Sequence, residues 1–452
     1  MRRILCVAGL CLPAVGCLSG ATNQSIDRAL TDSSVRLRER PDEPAALPDL
    51  TGPISRETIV ALAVSRSPGL AAIAHRARAM VYAARAEGSL PSPELGLEAW
   101  NLPLARPYAV GEANMYMVEL RQRFPAAGSL DARARAMADE AHAMVAELAS
   151  EERQIAQRAA DAYADYVHGV LDHALHHDHL ALLEQMQGAV RARFTTGGSG
   201  LADAARIDLE IAKTRRAIAR IDGDIARARA ALNALLRRPA DTSLGTPSDI
   251  TPMTVRLSVD ELVTRAREHR GTFVAARDRI QAAQARREAA EAEARWPEFM
   301  VGIGYWQDPN MRPGYGANVS MSLPWLWGGQ RHRVDEARER EASETSALAG
   351  ASVEAQSEIT EARVRLVTAE HELQVLQTQA LPAARRSIDA IRAVYSTGNA
   401  SLLEWIDAGR SFLDLEMEET DVSAELARAV ASLERAVGTT LPLTAVATED
   451  AR

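Results

Sequence analysis

The sequence predicts a mainly α-helical fold with a transmembrane β part, built from two tandem repeats. Three features favour this fold class: a composition that suits helices, a polar turn that occurs twice, and short runs of alternating apolar and polar residues. Hydrophobic residues make up 47% of the 452 residues but aromatic residues only 4%, which suits long helical seams. The formal net charge of −9 argues against a basic surface, so we expect no nucleic-acid partner.

The chain begins with a targeting segment. Arg2 and Arg3 precede an apolar stretch over residues 4–15, which suits a secretory signal and is too short to span a bilayer as a helix. We therefore predict a signal peptide over residues 1–17. All three cysteines lie within it, so no disulfide is expected in the mature chain.

The end of this segment, Ala14-Val15-Gly16-Cys17, is similar to the bacterial lipoprotein box. That similarity implies an acylated Cys17 that anchors the mature protein in lipid, although Ala14 stands where the box prefers leucine. The alternative is ordinary signal cleavage a few residues later. Residues 18–50 show no apolar period and are predicted to form a flexible tether. No later apolar run reaches the roughly 18 residues that a membrane-spanning helix requires.

One polar turn occurs twice, as FTTGGSGLADAAR at residues 194–206 and as YSTGNASLLEWID at residues 395–407. Aligning the two turns on Gly197 and Gly398 extends the similarity in both directions, which indicates an internal repeat. Each repeat opens with about 35 helical residues and continues as strand, strand, long helix and helix. The predicted boundaries are residues 51–245 for the first repeat, 251–441 for the second and 442–452 for a C-terminal tail.

Each repeat contains two runs of about 8 to 10 residues in which apolar and polar side chains alternate, as in strands. Strands with one apolar and one polar face are typical of a transmembrane β-barrel, and a soluble sandwich with one wet face has the same pattern. The apolar positions are Leu95, Leu97, Ala99, Tyr116, Val118 and Leu120 in the first repeat, and Phe299, Val301, Ile303, Tyr305, Ala317, Val319, Met321 and Leu323 in the second.

Tryptophan and strand number add to the membrane interpretation. Four strands cannot close a barrel, and an open edge in lipid would leave backbone groups unpaired, so closure requires further copies of the chain, either a dimer or a trimer. Tryptophan prefers the headgroup layer, and we expect two aromatic girdles there. The candidate girdle residues are Trp100, Trp296, Trp306, Trp325 and Trp327.

A long helix is predicted after each pair of strands, over residues 131–193 and 331–394. Apolar residues recur in these helices at alternating spacings of three and four, which predicts coiled-coil packing, and Pro382 should kink the second helix. A glycine is expected to end each long helix in a left-handed backbone, and a serine to cap the helix that follows the second turn. These tip residues, predicted at the end farthest from the strands, are Gly197, Gly398 and Ser401.

The order of these elements resembles the TolC-type outer-membrane efflux factors, from about residue 54 to about residue 440. Its most specific pieces are LPWLWGGQ after the last strand and YSTGNASLLEWID at the second tip. The resemblance implies a homotrimer whose strands complete a β-barrel in outer-membrane lipid of a Gram-negative cell, continued by a long coiled-coil α-helical barrel across the periplasm. It implies a passive exit duct of a tripartite efflux or type I secretion system, with a periplasmic adaptor protein and an inner-membrane pump as partners.

The resemblance also implies a periplasmic gate, because family members line their closed entrance with acids after the second tip glycine. The matching positions are Glu404 and Asp407; in the first repeat Asp203 matches, but Arg206 occupies the other position. Copies of these acids around one axis would attract cations and raise some pKa values by like-charge repulsion. The alternative is a pair of solvated acids on a helix surface.

Histidines cluster in the stretch VHGVLDHALHHDHLALL, between His168 and His179. His173 and His177 lie one helical turn apart and could share a transition metal, with Asp172 or a neighbouring chain completing the ligands. We favour a hydrated helix face instead. Metal binding here would indicate a metal-specific efflux duct.

Enzymatic motifs are not recognised in the sequence. The stretch GGSG at residues 197–200 lacks the strand before it and the Gly-Lys-Ser/Thr after it that a phosphate loop requires. We therefore predict neither catalysis nor a cofactor. The competing class of function is a periplasmic coiled-coil adaptor or scaffold with a small β domain and no pore.

Overall fold

The computed structural model describes residues 18–38, 49–102, 104–195, 200–248, 251–308, 312–397 and 399–446. Cys17, Gly197 and Gly398 lie outside the described residues, as does the predicted signal peptide. Two compact units form: the described parts of Met1–Arg38, Ala72–Leu148 and Thr272–Ala351 make unit 1, and those of Glu39–Ala71, Ala149–Gly271 and Ser352–Arg452 make unit 2.

Most of the described chain is helical, which confirms the helical part of the predicted fold class. The same order of elements occurs twice along the chain. The first series is α2 (Arg56–Ser65), α3 (Pro68–Glu87), β1 (Glu94–Trp100), β2 (Met115–Phe124), α4 (Ser129–Thr195) and α5 (Leu201–Leu235). The second series is α6 (Val259–His269), α7 (Gly271–Arg295), β4 (Phe299–Gln307), β5 (Gly314–Met321), α8 (Gly329–Val375), α9 (Leu381–Ser396) and α10 (Leu402–Val437). The remaining elements are α1 (Gly20–Arg38) and the short strands β3 (Met253–Thr254) and β6 (Thr444–Ala445).

Both of the predicted 35-residue opening helices are interrupted. In the first series Pro68 is the first residue of α3, where its missing N–H costs no hydrogen bond, and α2 ends at Ser65. In the second, Arg270 has extended backbone angles (φ −70°, ψ 116°) between α6 and α7. Local breaks of this kind do not alter the apolar period, so the period alone does not reveal them.

A π-helical segment separates α8 from α9 at Leu376–Ala380 and ends two residues before Pro382. Pro382 has no N–H to donate to the carbonyl four residues earlier, and its ring crowds that carbonyl. A wider turn accommodates both effects. The structure thus has a π segment at the position where the sequence predicts a kink.

The prediction of a flexible tether over residues 18–50 is wrong for Gly20–Arg38, which forms α1. Its fully buried positions, Thr22, Ile26, Ala29 and Ser33, follow spacings of four, three and four, a helical stripe in which two members are small polar residues. Ile26 and Ala29 pack in unit 1 against Val81, Ala84, Ala138 and Ala141. Counting only apolar residues hides this stripe, because threonine and serine complete it.

Unit 1 contains a four-stranded antiparallel sheet with the order β1-β2-β4-β5. Each series contributes one hairpin, and β2 pairs with β4 along nine residue pairs, from Tyr116↔Gln307 to Phe124↔Phe299. The sheet is therefore continuous across the two series. Opposite partners fix which side chains share a face, because successive side chains in a strand alternate.

Ion pairs connect α4 with α7 in unit 1. Arg135 lies 2.7 Å from Glu288, and Arg286 lies 3.0 Å from Glu140. Two more pairs, Arg133–Glu293 and Arg279–Glu147, extend this ladder. Both helices also bury alanines in this region, among them Ala138 and Ala141 of α4 and Ala282 and Ala285 of α7.

Unit 2 is held together by packing around α4 and α10 and by hydrogen bonds to loop carbonyls. The Tyr163 hydroxyl donates to the Ile54 carbonyl at 2.8 Å, and the Tyr166 hydroxyl donates to the Gly245 carbonyl at 3.0 Å. Gly245 is tightly enclosed, because a Cβ there would lie 1.7 Å from the Gly52 carbonyl oxygen. Strands β3 and β6 pair at Met253↔Ala445 and Thr254↔Thr444, a contact that the sequence did not predict.

Among the described helices, none by itself is long and apolar enough to cross a membrane. The bent pair α2 and α3 reaches that threshold by length and composition.

Candidate functional site

One face of the sheet in unit 1 carries exposed apolar side chains on all four strands. We call it the apolar face. Leu97 is 74% exposed, Ile303 60% and Val319 68%. The register places these residues on the same side of the sheet as the other exposed apolar residues, which are Leu95, Val118, Leu120, Phe299, Val301, Tyr305, Tyr315 and Met321. A contiguous apolar surface of this kind marks an interaction with lipid or with another protein.

The opposite face, which we call the polar face, carries a hydrogen-bonded network that sequence analysis missed. Glu119 on β2 is only 4% exposed, and the Asn318 side-chain nitrogen on β5 donates a hydrogen bond to its carboxylate. Arg121 Nε lies 3.8 Å from Glu119 Oε2. Gly302 on β4 leaves space for this contact, since a Cβ there would lie 2.4 Å from Asn318 Oδ1 and 2.6 Å from Glu119 Oε1.

Two of the five candidate girdle tryptophans lie on the polar face of the sheet. Trp100 and Trp306 lie on the polar face: the Trp100 indole donates to Glu98 at 2.9 Å, and the Trp306 ring covers Gly314 and Gly316. The positions of Trp100 and Trp306 in the alternation are those of the polar residues, which argues against a girdle role for these two, and the girdle stays a prediction. The exposed Trp296, Trp325 and Trp327 lie outside the strands, and their girdle role stays a prediction.

Strands β1 and β5 are the edges of the sheet. Within the described residues each pairs with one neighbouring strand only, β1 with β2 and β5 with β4. An unpaired edge presents a row of backbone donors and acceptors that can pair with another chain. A single copy of the chain therefore exposes both the apolar face and the backbone groups of the two edge strands.

The predicted gate residue Glu404 lies in a capping box at the start of α10. Its carboxylate accepts hydrogen bonds from the Ser401 backbone N–H at 2.7 Å and from the Ser401 hydroxyl at 3.0 Å, and the hydroxyl accepts from the Glu404 N–H. These bonds favour the charged form, the backbone N–H most, and hold the pKa of Glu404 below its usual value. In the single chain its pKa is thus lowered, the opposite of the shift expected from crowded acids.

Asp407 lies one turn farther along α10, next to the ion pair between Arg410 and Glu210. Arg410 Nη1 is 3.8 Å from Asp407, and the same guanidinium bonds Glu210 on α5 at 2.5 and 3.0 Å. Glu210 is 7% exposed and also accepts from Lys213 at 3.0 Å. Burial alone would raise the pKa of Glu210, but the bonds from Arg410 and Lys213 outweigh burial and lower it.

The third predicted gate residue, Asp203, lies in the first turn of α5, where its charge complements the helix dipole. An apolar cluster in unit 2 contains residues of α4, α5, α9 and α10. In it the Tyr395 and Trp405 rings are 4.8 Å apart, and the Arg193 guanidinium lies 5.0 Å above the Tyr395 ring. The start of α10, with Ser401 and Glu404, is thus fixed by aromatic packing.

The histidines of α4 contact acids of neighbouring helices. His168 Nε2 lies 2.7 Å from Asp421 on α10 and 3.5 Å from Asp172, and His173 Nε2 lies 3.4 Å from Asp222 on α5. The His173 and His177 rings are 4.5 Å apart. The described part of the chain contains no group of three or more histidine, cysteine or acidic side chains arranged to hold a metal ion.

Part of the chain matches a known protein family. Residues 262–439 match the outer membrane efflux protein family. This match covers most of the second series of elements and confirms the resemblance that the sequence motifs indicate. No curated protein matches the chain by sequence.

Several solved structures of membrane proteins share the fold. A structure of CusC, described for transmembrane channel formation, is 19% identical, covers 88% of this chain and 98% of its own, and has a TM-score of 0.73. The outer-membrane channel OprN is 17% identical, with 88% and 97% covered and a TM-score of 0.71. The outer membrane protein VceC from Vibrio cholerae is 20% identical, with 85% and 96% covered and a TM-score of 0.69.

Neither the polar-face network nor the Glu210–Arg410 pair is predicted from the sequence. Glu119 did carry a signal. It belongs to an alternation with Arg121 and Arg123 on the polar side of β2, which marks it as facing away from the apolar residues. Its partner Asn318 lies 199 positions later, and no local pattern connects the two.

Proposed function

We propose that the chain is the outer-membrane exit channel of an efflux or secretion system in a Gram-negative cell. The exposed apolar face of the sheet carries this proposal. Eleven large apolar side chains are exposed together there, from Leu95 to Met321. Burying them in lipid avoids the unfavourable free energy of exposing apolar surface to water. The opposite face would then line an aqueous lumen with Glu119, Arg121 and Asn318.

The proposed assembly is a homotrimer. One chain provides four strands with two unpaired edges, and hydrocarbon does not tolerate unpaired backbone groups. Pairing the β5 edge of one copy with the β1 edge of the next would close a barrel and remove every edge. Outer membrane efflux proteins act as channels with an adaptor and an inner-membrane pump, and we assign the same kinds of partner to this chain. The channel is passive, and cargo is chosen by the pump.

The competing function is a periplasmic adaptor or scaffold without a pore. Such a protein would have to keep the apolar face in water or cover it with another protein. A channel requires detergent for extraction, migrates as a heat-modifiable oligomer and conducts ions in a planar lipid bilayer. An adaptor would be extracted without detergent and would not conduct.

A pair of lysine substitutions tests the orientation of the sheet. Ile303→Lys places a charge on the apolar face and Ser320→Lys places one on the polar face. A lysine that faces the bilayer midplane costs about 2–4 kcal/mol, whereas one in a lumen costs little. We expect Ile303→Lys to abolish membrane-inserted oligomer and Ser320→Lys to retain it with altered conductance. Equal tolerance of both substitutions would contradict the channel.

We infer that Glu404, Asp407 and Asp203 form an acidic gate around the axis of the trimer. The exposed position of Glu404 and Asp407 on α10 and the fixed start of that helix support this role. The double variant Glu404→Gln with Asp407→Asn removes the charges but retains an N3 side chain that can complete the capping box. We expect lower cation selectivity and weaker block by divalent cations in single-channel recordings. Glu418→Ala, an exposed acid farther along α10, is the control, and unchanged selectivity in the double variant would remove the gate.

We also propose that Cys17 is acylated and that the mature chain is lipid-anchored. Two acyl chains bind a membrane stably, whereas a single chain binds only marginally. Mass spectrometry of the mature amino terminus should show a diacylated or triacylated Cys17. Cys17→Ser should remove the lipid and slow signal processing, while a mature chain that begins after residue 17 without lipid would contradict the proposal.

A further inference from the structure

Two indole rings and a carboxylate occupy the loop end of the polar face. Trp100 is the last residue of β1, and Trp306 lies one residue before the end of β4. In the register Trp100 is opposite Met115 and Trp306 is opposite Met117, so the two indoles lie on either side of β2. Glu98 is also opposite Met117 and accepts a hydrogen bond from the Trp100 indole at 2.9 Å.

The position of the Trp306 ring depends on two glycines of β5. A Cβ at Gly314 would lie 2.9 Å from atoms of the indole, and a Cβ at Gly316 would lie 2.8 Å from another part of the same ring. The ring therefore extends along β5 against bare backbone. This packing holds the indole close to the sheet, and the Trp306 side chain remains partly exposed.

The spacing of the two indoles suits a molecule with an aromatic or bulky apolar body. Trp100 and Trp306 are separated by two strand spacings and by two residues along the strands, which places their Cα atoms about 12 Å apart. The thioether of Met117 lies between them in the register, and sulfur contacts aromatic groups favourably. Glu98 is in register with Met117 and Trp306 and supplies a carboxylate beside the indoles. The arginines of this face, Arg121 and Arg123, lie farther from the loop end.

We propose that Trp100, Trp306 and Glu98 form a binding site for organic cations that carry aromatic or bulky apolar groups. Indole faces attract cations through their quadrupole, and the carboxylate adds a full opposite charge. The same groups disfavour an anion of equal size. In the proposed channel these cations would contact the site as they pass the loop end of the barrel. The inference rests on the proposed function for this passage, but the site itself lies within one chain.

Tetraphenylphosphonium and tetraphenylborate test the site, because the two ions have nearly the same shape and opposite charge. Binding is measured by calorimetric titration of the detergent-purified protein, and channel block is measured in planar bilayers. We expect tetraphenylphosphonium to bind and block, and Trp100→Ala, Trp306→Ala and Glu98→Gln each to weaken its binding about tenfold. Trp306→Phe should recover part of the loss. Trp327→Ala is the matched control, since Trp327 is exposed and lies outside the sheet.

Two results would overturn the proposal: unchanged tetraphenylphosphonium affinity in Trp100→Ala and Glu98→Gln, or equal binding of tetraphenylborate by the unaltered protein. Trp100 is half exposed, so its substitution tests the site even where Trp306→Ala fails to assemble. The titration also tests the cation site independently of the channel. Absence of conductance in the unaltered protein would contradict the channel, and the calorimetric result would still decide the cation site.

Discussion

The Asn318 side-chain nitrogen donates a hydrogen bond to the Glu119 carboxylate across the full width of β4. The two residues belong to β5 and β2, which are separated by that strand, and Gly302 and Gly304 are the β4 residues beneath the contact. A side chain at position 302 would occupy the same space as the bond. The polar face is thus held together laterally by side chains as well as by the backbone ladder.

Gly302→Ala should therefore destabilise the sheet, because its Cβ would separate Glu119 from Asn318 and leave a buried carboxylate short of donors. A buried charged group that loses its hydrogen bond costs about 1–3 kcal/mol. Gly304→Ala is the matched control, since a Cβ there would lie at an ordinary distance of 3.5 Å from the Val118 carbonyl oxygen. Urea unfolding of the purified protein measures both variants. An equal loss of unfolding free energy in the two variants would show that stability depends on having glycine in β4 and not on the hydrogen bond between Asn318 and Glu119.

The α1 helix should detach when its central contact is removed. Ile26 is 1% exposed, and Ile26→Ala removes apolar contact with Val81 and Ala84 at a cost of about 2–4 kcal/mol. The short polar helix would not stay folded alone. Hydrogen exchange over residues 20–38 should become fast in Ile26→Ala and stay slow in Val35→Ala, whose side chain is 45% exposed. Slow exchange in both variants would indicate that α1 is held mainly by polar contacts, such as those of Ser19 with Asp131 and of Ser25 with His142.

The strands could be predicted from the sequence more fully than the sheet. Alternation places Leu95, Val118, Ile303 and Val319 on strands and on one face, and the register agrees. Alternation does not say which strand lies beside which. The pairing of β2 with β4, which joins the two series, depends on contacts between residues nearly 200 positions apart and could not be read from either hairpin.

The candidate sites were predictable only where the pattern is local. The two members of the capping box, Ser401 and Glu404, lie three positions apart within the turn YSTGNASLLEWID. The Glu210–Arg410 pair joins α5 to α10, and helical charge patterning alone does not distinguish it from solvated surface acids and arginines. The face on which Trp306 lies follows from its position in the alternation of β4, which it shares with Gly302 and Gly304. The preference of tryptophan for strand ends does not predict which face of the sheet it occupies.

The stability of unit 2 should rise on acidification through the titration of Asp161. Burial raises the pKa of Asp161 to about 6, with Asp165 and Glu425 adding to the shift and Arg428 and Arg56 opposing it. The folded state therefore binds this proton at a higher pH than the unfolded state, so stability increases as pH falls through about 6 towards the unfolded value of 3.8. Partial exposure limits the effect to about 1–2 kcal/mol.

Asp161→Asn isolates this titration. The variant should be more stable than the unaltered protein at pH 7.5, and the difference in unfolding free energy should shrink as the pH falls below about 6 and disappear only below the unfolded pKa of 3.8. Asp165→Asn is the control with the opposite sign, because Asp165 pairs with Arg428 at 2.6 Å and its loss should destabilise at pH 7.5. A pH-independent difference for Asp161→Asn would show that the carboxylate of Asp161 is solvated.

The Glu210–Arg410 pair should contribute more to stability than the exposed ion pairs of the same helices. Glu210 is nearly buried, so Arg410→Ala leaves its charge with Lys213 as the main partner, and we expect a loss of about 1–3 kcal/mol. Glu210→Gln with Arg410→Ala should recover part of that loss, because the double variant no longer buries an unpaired charge. Arg227→Ala, which removes a pair whose arginine side chain is 80% exposed, should change stability by less than about 0.5 kcal/mol. Chemical unfolding of the unaltered protein, Glu210→Gln, Arg410→Ala and the double variant gives the coupling energy directly. A coupling near zero would mean that Glu210 is hydrated in solution, and α5 and α10 would then be joined at this level by the apolar cluster around Ile207 and Ile406 alone.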